Sequence, residues 1–305
     1  MAITFRGTLP EVFEARQAEI LYKNYTMQEK LFPQVFNMET SQKAYEDWFE
    51  VSGLGVFRTK PEGTPVTYDS PVQGVRRRIT HTTYALGYRV TMEAMEDAQY
   101  DVIDQHPKDM GDAAREHDEL LAWAFFNSPT STTVGIVGDG LALASASHTI
   151  LKPKDPAAAT QSNLAAVALS VTGLETALTA MMTTKTREDR FMPLKPSKLV
   201  IPPALSHFAY QILNTEKEVF TNENQVSTVS SSRTGISPVV VPYLTDTDNW
   251  ALTCEKSQHK LCFNTRKKLT FDSSTDSQTK DKLFDAVKRN SVVAKDWRGT
   301  WFSQV

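Results

Sequence analysis

Cysteine is nearly missing. The 305 residues hold only Cys254 and Cys262, with 255–261 between them. Two thiols at that spacing exclude a disulfide framework and lack the paired ligands of a zinc site, so a reducing environment is expected. Long apolar runs are missing too: no stretch approaches the ~20 residues a membrane-spanning helix requires. The opening MAITFRGTLPEVFEARQAEIL carries Arg6, Glu11, Glu14 and Arg16 where a signal peptide needs an uncharged apolar core. Neither secretion nor membrane insertion is expected. Positive charge in excess is the third absence. With Lys+Arg at 33 against Asp+Glu at 36, the net charge is -3, which leaves no global basic field to hold a polyanion. Internal repeats and low-complexity tails are also lacking.

What is present is a 40% hydrophobic chain, long enough for one large or two modest domains with a real core. From Pro10 to about Tyr25, the proline near the first turn and the set Val12, Phe13, Ile20 and Leu21 predict a helix. Residues 26–50 are mixed and aromatic-rich. Over 55–91, β-branched and aromatic runs flank Gly/Pro punctuation that includes Lys60-Pro61-Glu62-Gly63, which predicts a long, polar-tipped β-hairpin with little core of its own. Segment 91–127 is helical by pattern: Met92, Met95, Ala98 and Val102, then a break at Pro107 and Gly111, then Met110, Ala113, Ala114, His117, Leu120, Leu121 and Ala124. A second helix is predicted over 163–184 with Ser162 as its N-cap. Beyond it come a strand at 198–201, a helix opened by Pro202-Pro203, and a Ser-rich loop over 221–236. Strands follow at 239–243, 250–254, 261–263 and 269–271, with a last pair within 283–302. The class is α+β.

Three stretches invite a chemical reading. DGLALASASHTIL (139–151) places Asp139, Ser145, Ser147 and His148 close together. An esterase elbow needs G-x-S-x-G, yet Ser145 is flanked by Leu143 and Ser147, and triad members usually converge from distant segments. A serine hydrolase using Ser145 and His148 is thus the weaker alternative, and no catalytic residue is assigned. Arg115-Glu116-His117-Asp118-Glu119 looks metal-rich, but ligands on one helical face need spacings of three or four, where His117 has Ala113, Ala114, Leu120 and Leu121. It is expected as a core-edge histidine, and no metal or cofactor site is assigned. Asp246-Thr247-Asp248-Asn249 lacks the glycine and distal glutamate of a calcium loop and is expected as a hairpin turn. Of the basic clusters Arg76-Arg77-Arg78, Arg266-Lys267-Lys268, and Lys295 with Arg298, none has a phosphate-cradling glycine loop beside it. Three consecutive arginines in a strand alternate faces, which favours a partner subunit on one side.

The order of segments resembles the major capsid proteins of tailed bacteriophages, of the Hong Kong 97-type fold. The resemblance rests on five collinear pieces: the hairpin at 55–91; the long helix ending Leu121-Ala-Trp-Ala-Phe-Phe-Asn127; Asp139-Gly140 with Ser145-Ala146-Ser147-His148; the 163–184 helix running into Pro193-Leu194-Lys-Pro196-Ser-Lys-Leu199-Val-Ile-Pro-Pro203; and Asp296-Trp297-Arg298-Gly299. The chain departs from relatives that carry an aromatic and a proline where it has Ala142 and Thr149.

By this resemblance, residues 1–50 are an N-terminal arm, 51–91 an extended loop overlapping a neighbour, 92–162 a peripheral domain with its spine helix, 163–270 an axial domain, and 271–305 return strands to the peripheral domain. The implied function is a non-enzymatic shell subunit that forms hexamers and pentamers of an icosahedral head around double-stranded DNA, without sequence-specific binding. Assembly is expected in the host cytoplasm with a portal protein and, because the N-terminus enters the fold almost at once, a separate scaffolding protein. Lys60, Glu62, Arg76, Arg77 and Arg78 are the candidate inter-subunit contacts. Some relatives cross-link through a lysine at this tip; no partner set is recognisable here, and a non-covalent shell is expected. An encapsulin-like shell around cargo enzymes is the alternative that shares the fold.

Overall fold

The computed structural model describes residues 9–51, 53, 54, 57–68, 70, 73–97, 100–150, 159–187, 189–215, 217 and 226–305. Helix α1 (Leu9–Met27) leads through a 3-10 turn at Phe32–Gln34 into strands β1 (Asn37–Thr40), β2 (Tyr45–Val51), β3 (Gln73–Thr80) and β4 (Thr82–Val90). Three helices follow: α2 (Met92–Glu96), α3 (Tyr100–Ile103) and the long α4 (Gln105–Asn127). The middle of the chain gives β5 (His148–Ile150), β6 (Ala159–Gln161), β7 (Leu164–Ala165), α5 (Val171–Met182), β8 (Pro196–Ile201) and α6 (Ser206–Asn214). The last part is α7 (Ser231–Thr234), β9 (Ser237–Val240), β10 (Trp250–Cys254), β11 (Leu261–Thr275), β12 (Lys282–Ala294) and β13 (Thr300–Ser303). No described helix is long and apolar enough to cross a membrane.

Two sheets organise these elements. One has the order β1-β11-β12-β4, and α1 and α4 pack together beside it. The other has the order β7-β13-β10-β8-β9. Its strands alternate between two cores. Leu164, Val200, Val239, Ala251 and Phe302 face the cluster built around Phe32, Phe36, Trp123 and Phe126. Ala165, Leu199, Ile201, Val240, Trp250, Leu252 and Trp301 face the cluster that α5 and α6 close with Leu174, Ala177, Ala209 and Ile212. A sheet covered on both faces reads in sequence as unbroken apolar runs, which is why the strands at 198–201 and 250–254 are legible there.

Several expectations are corrected. The hairpin predicted over 55–91 is displaced: β3 pairs antiparallel with β2, and β4 pairs with β12 in the four-stranded sheet. The ribbon is therefore β2–β3, and its root lies in the stretch assigned to the N-terminal arm. The helix pattern does not break at Pro107, because this is the third residue of α4, where a backbone N–H has no acceptor within the helix. The interruptions fall earlier, between α2 and α3 and at Asp104. The helix predicted from 163 starts only at Val171, capped by Ser170, whose hydroxyl accepts from the Gly173 N–H at 3.0 Å. Ser162 instead bonds to the N–H and carbonyl of Leu164, the first residue of β7, which runs parallel to β13. The pairs 261–263 and 269–271 are one strand, β11. Asp246 does turn the chain, accepting from Asp248 N–H at 2.9 Å, but it joins β9 to β10 across the intervening β8 and is not a hairpin. Of the last pair of strands, β12 lies in the four-stranded sheet and β13 in the five-stranded one. The Ser-rich loop holds α7, and residues 218–225 lie outside the described residues.

Helix α4 carries two buried carboxylates that fix what surrounds it. Asp118 accepts from Tyr25 Oη at 2.7 Å, Lys30 Nζ at 3.1 Å, Lys288 Nζ at 2.7 Å and Asn290 Nδ2 at 3.1 Å. Burial pushes its pKa up, but the two lysines and the tyrosine outweigh burial and hold it below the ordinary range. Glu119 accepts from the N–H groups of Leu31 and Phe32 and from Trp123 Nε1. His117, immediately before them in sequence, is the core-edge histidine expected, with its ring 4.2 Å from that of Tyr84.

Gly111 lets α1 lie against α4, since a Cβ there would stand 2.7 Å from the Leu21 carbonyl oxygen. On an open helix Gly→Ala stabilises by about 1 kcal/mol. Here the sign should reverse: Gly111→Ala is expected to lower the unfolding midpoint in a thermal melt, and a raised midpoint would show that α1 yields easily.

Candidate assembly interface

The β2–β3 ribbon has two unlike faces. The register pairs Asp47 with Arg78, Trp48 with Arg77 and Phe49 with Arg76, and residues opposite each other share a face. The inner face carries Glu46, Trp48, Glu50, Arg77 and Ile79. Trp48 covers Gly138, where a Cβ would sit 2.8 Å from its ring, and the Arg77 guanidinium approaches Gly140. Ile79 is buried. The outer face carries Tyr45, Asp47, Phe49, Val51, Arg76 and Arg78. The alternation expected of Arg76-Arg77-Arg78 is therefore present, but the carboxylate for Arg76 and Arg78 is Asp47 of the same ribbon. Arg78 donates Nε to Asp47 Oδ1 at 2.9 Å and lies over the Tyr45 ring. The Arg78 and Arg76 guanidiniums hold Asp47 well below the usual carboxylate range.

Beyond the root, none of the described residues covers the outer face of the ribbon. Phe49 is 46% exposed and Val51 55%, and in the connecting segment Phe57 reaches 103% and Tyr68 87%. Leu54 and Val66 are also exposed. The tip is thus not merely polar. Lys60 and Glu62 lie exposed at the turn that Gly63, at φ 78°, makes possible, closed by Thr64 N–H to Pro61 O at 3.3 Å. Among the described residues neither makes an ion pair. Below the ribbon a single residue, His81, joins β3 to β4 and is buried with Nδ1 3.0 Å from Ser291 Oγ.

The stretch with the triad-like composition is a joint. His148 is fully buried, with Nδ1 2.6 Å from Asp139 Oδ2 and Nε2 3.1 Å from Asn163 Oδ1. Its ring stacks on Trp297 at 4.2 Å and 5°. Asn163 in turn donates to the Leu143 carbonyl and accepts from Ser145 N–H. Both imidazole nitrogens face acceptors other than Ser145, whose hydroxyl accepts from Ser147 N–H. Among the described residues no base hydrogen-bonds to that hydroxyl, which leaves the hydrolase alternative without an activated nucleophile. Among the described residues no three potential metal ligands come together.

The phage capsid protein family profile matches residues 74–301. The chain belongs to the phage capsid protein family. No curated protein matches it by sequence. Among solved structures it is similar to the procapsid protein of bacteriophage JBD30, at 16% identity and TM-score 0.55 over 99% of this chain and 76% of that one. It is also similar to the capsid protein of cyanophage P-SCSP1u, at 12% and 0.57 over 90% and 88%. The virus-like particle of Pyrococcus furiosus matches at 11% and 0.55 over 95% and 98%. These likenesses establish the Hong Kong 97-type fold. The phage capsid protein is a structural shell subunit and a virion component that self-assembles; it is not an enzyme.

Residues missed in the sequence are Asp47, Trp48 and Glu50 on β2, with Arg187 and Arg190, which hold the root. The signal available for β2 was the aromatic and acidic run Tyr45-Glu-Asp-Trp-Phe-Glu-Val51, which mixes faces instead of alternating strictly apolar with polar.

Removing the His148 ring from its capsid joint leaves the largely enclosed Asp139 carboxylate with the Leu141 N–H but without its side-chain partner, at a cost of roughly 3 kcal/mol. His148→Ala is therefore expected to lower stability, and Ser145→Ala to leave melting and assembly unchanged. Burial raises the Asp139 pKa, but His148 and the Leu141 N–H outweigh it and the net shift is downward from 3.8. Its stabilisation is full above that ordinary value and is lost as pH falls through the lower folded one. Acid titration of Asp139→Asn should lack this component; an unchanged acid limb would contradict the assignment.

Proposed function

We propose that the capsid protein builds the icosahedral head of a tailed phage from hexamers and pentamers, and that each copy lays the outer face and tip of its β2–β3 ribbon on a neighbour. The observation that carries this reading is the exposure of Phe49, Val51, Phe57 and Tyr68 on a ribbon whose outer side no described element covers. A two-stranded ribbon is at best marginally stable alone, and burying apolar area at about 25 cal/mol per Å² on a neighbour at every subunit favours closure. Lys60, Glu62, Arg76 and Arg78 lie on the same exposed surface and are its polar rim, whereas Arg77 faces inward and supports the ribbon from beneath. In this reading α1, α4 and the four-stranded sheet form the peripheral part, and the five-stranded sheet with α5 and α6 forms the axial part near the capsomer centre.

The shell encloses double-stranded DNA without gripping it. Pairing within the chain supports this: Arg76 and Arg78 are matched by Asp47, Lys295 by Glu39, and Arg298 by Glu50 and Asp296. Assembly takes place in the host cytoplasm with a scaffolding protein, and with a portal protein at one vertex.

The double variant Phe57→Ser, Tyr68→Ser tests the ribbon. Soluble subunits or capsomers with wild-type circular dichroism and few closed particles on sedimentation are expected; a normal yield of closed shells would overturn the proposal. Glutamate at all three arginines is a poorer test, because it also breaks the Asp47 pairs inside the ribbon. Shells are expected to be non-covalent at Lys60, so purified particles should run as one band of subunit mass on a denaturing gel, and a ladder resistant to reductant would contradict this.

A further inference from the structure

Besides the packing of Trp48 on Gly138 and the burial of Ile79, the inner face of the ribbon is held by an ionic cluster at its root. Glu50, on the inner face near the end of β2, receives Arg298 Nη1 at 2.9 Å and Arg187 Nη1 at 3.4 Å. These side chains are enclosed: Arg298 is 6% exposed, Arg187 11% and Glu50 17%. Arg298 is itself fixed, gripping Asp296 at 3.1 Å and donating Nε to the Lys185 carbonyl at 3.1 Å. A third arginine, Arg190, donates Nη1 to the Leu54 carbonyl at 3.1 Å. Arg187, Arg190 and Arg298, all outside the ribbon, thus converge on Glu50 and Leu54. The two carboxylates Glu50 and Asp296 balance Arg187 and Arg298, so the cluster tolerates enclosure as long as none of the four is removed.

The position of this cluster gives it leverage. Glu50 lies at the end of β2 from which the chain runs out to Lys60; ten residues span at most ~35 Å, so a rotation of ~10° at the root moves the tip by up to ~6 Å, enough to miss a complementary pocket. The apolar packing of Trp48 on Gly138 is non-directional and does not by itself select among small tilts. A carboxylate held by two directional guanidinium bonds resists them, because tilting lengthens both bonds at once.

We infer that Glu50 is a positioning residue for assembly: clamped by Arg187 and Arg298, it sets the angle at which the ribbon leaves the body, and through that angle the curvature at which neighbouring subunits close. The inference rests on the ribbon reaching a neighbour. It adds that the ribbon's direction is encoded by a cluster of the chain's own charges, apart from the contact surface.

The test compares Glu50→Gln and Arg187→Gln, singly and together, with wild type. Glu50→Gln should stay folded by circular dichroism, broaden the distance distribution between a spin label at position 60 and one on the body in soluble subunits, and cause a several-fold loss of uniform-diameter shells, replaced by particles of mixed size and open sheets in electron micrographs. Arg187→Gln keeps the Arg298 bond and should show the same effects more weakly; it decides the matter if Glu50→Gln does not fold. The double variant should be no worse than Glu50→Gln alone, since both changes remove one shared contact. Uniform shells of wild-type diameter from the folded Glu50→Gln variant, or from Arg187→Gln if the former is unfolded, would overturn the inference. If the Phe57→Ser, Tyr68→Ser variant still blocks closure in that case, the neighbour contact stands and only the role of Glu50 falls.

Discussion

A two-stranded ribbon has no interior, and that constraint governs this molecule. One face of β2–β3 can be covered by the body of its own chain, and is: Trp48 lies over Gly138, Ile79 is buried, and Glu50 is enclosed by arginines. The other face and the connecting segment leave Phe49, Val51, Phe57 and Tyr68 in water. Exposed aromatic and aliphatic side chains in one contiguous element mark an interaction surface. In a protein of the phage capsid family, the cover available in every copy's surroundings is another copy.

Such a ribbon can only be aimed if its support is stiff. The five-stranded sheet, buried on both faces, and helix α4, tied by Asp118 and Glu119 to the N-terminal segment and to β12, provide that support. The terminal Asp296-Trp297-Arg298-Gly299 is where the parts meet. Trp297 stacks on His148 of the joint, Arg298 holds Glu50 of the ribbon, and Gly299, at φ 86°, lets the chain pass His259, whose Cβ a side chain at 299 would meet at 2.9 Å. Pieces that are far apart in sequence and individually weak as motifs are one contact network in space, which is the physical reason their collinearity carried information.

The fold class and the family were legible before any coordinates, as were β8, β10 and α6, because doubly buried strands and amphipathic helices leave strong patterns. The ribbon was legible in kind but not in place. The hairpin expected over 55–91, with Lys60-Pro61-Glu62-Gly63 at its turn, takes its first arm from β2 instead, while β4 pairs with β12; nothing local distinguishes these pairings, since strand partners are set by long-range contacts. The helix predicted from 163 failed because Leu164, Val167 and Ala168 fit a helical stripe by spacing while Asn163 and Ser162 bind the joint and β7. The buried roles of Asp118, Glu119 and Glu50 were illegible for a simpler reason: a carboxylate is buried only by virtue of partners that come from elsewhere, here Lys288, the Leu31 N–H and Arg298.

Hydroxyl-radical footprinting of free subunits against assembled shells tests the central claim most directly. Oxidation of Phe57 and Tyr68 should fall strongly on assembly, while that of core residues such as Trp123 stays low in both. Equal labelling of Phe57 and Tyr68 in the two states would show that the ribbon's apolar surface remains in water and that something else closes the shell.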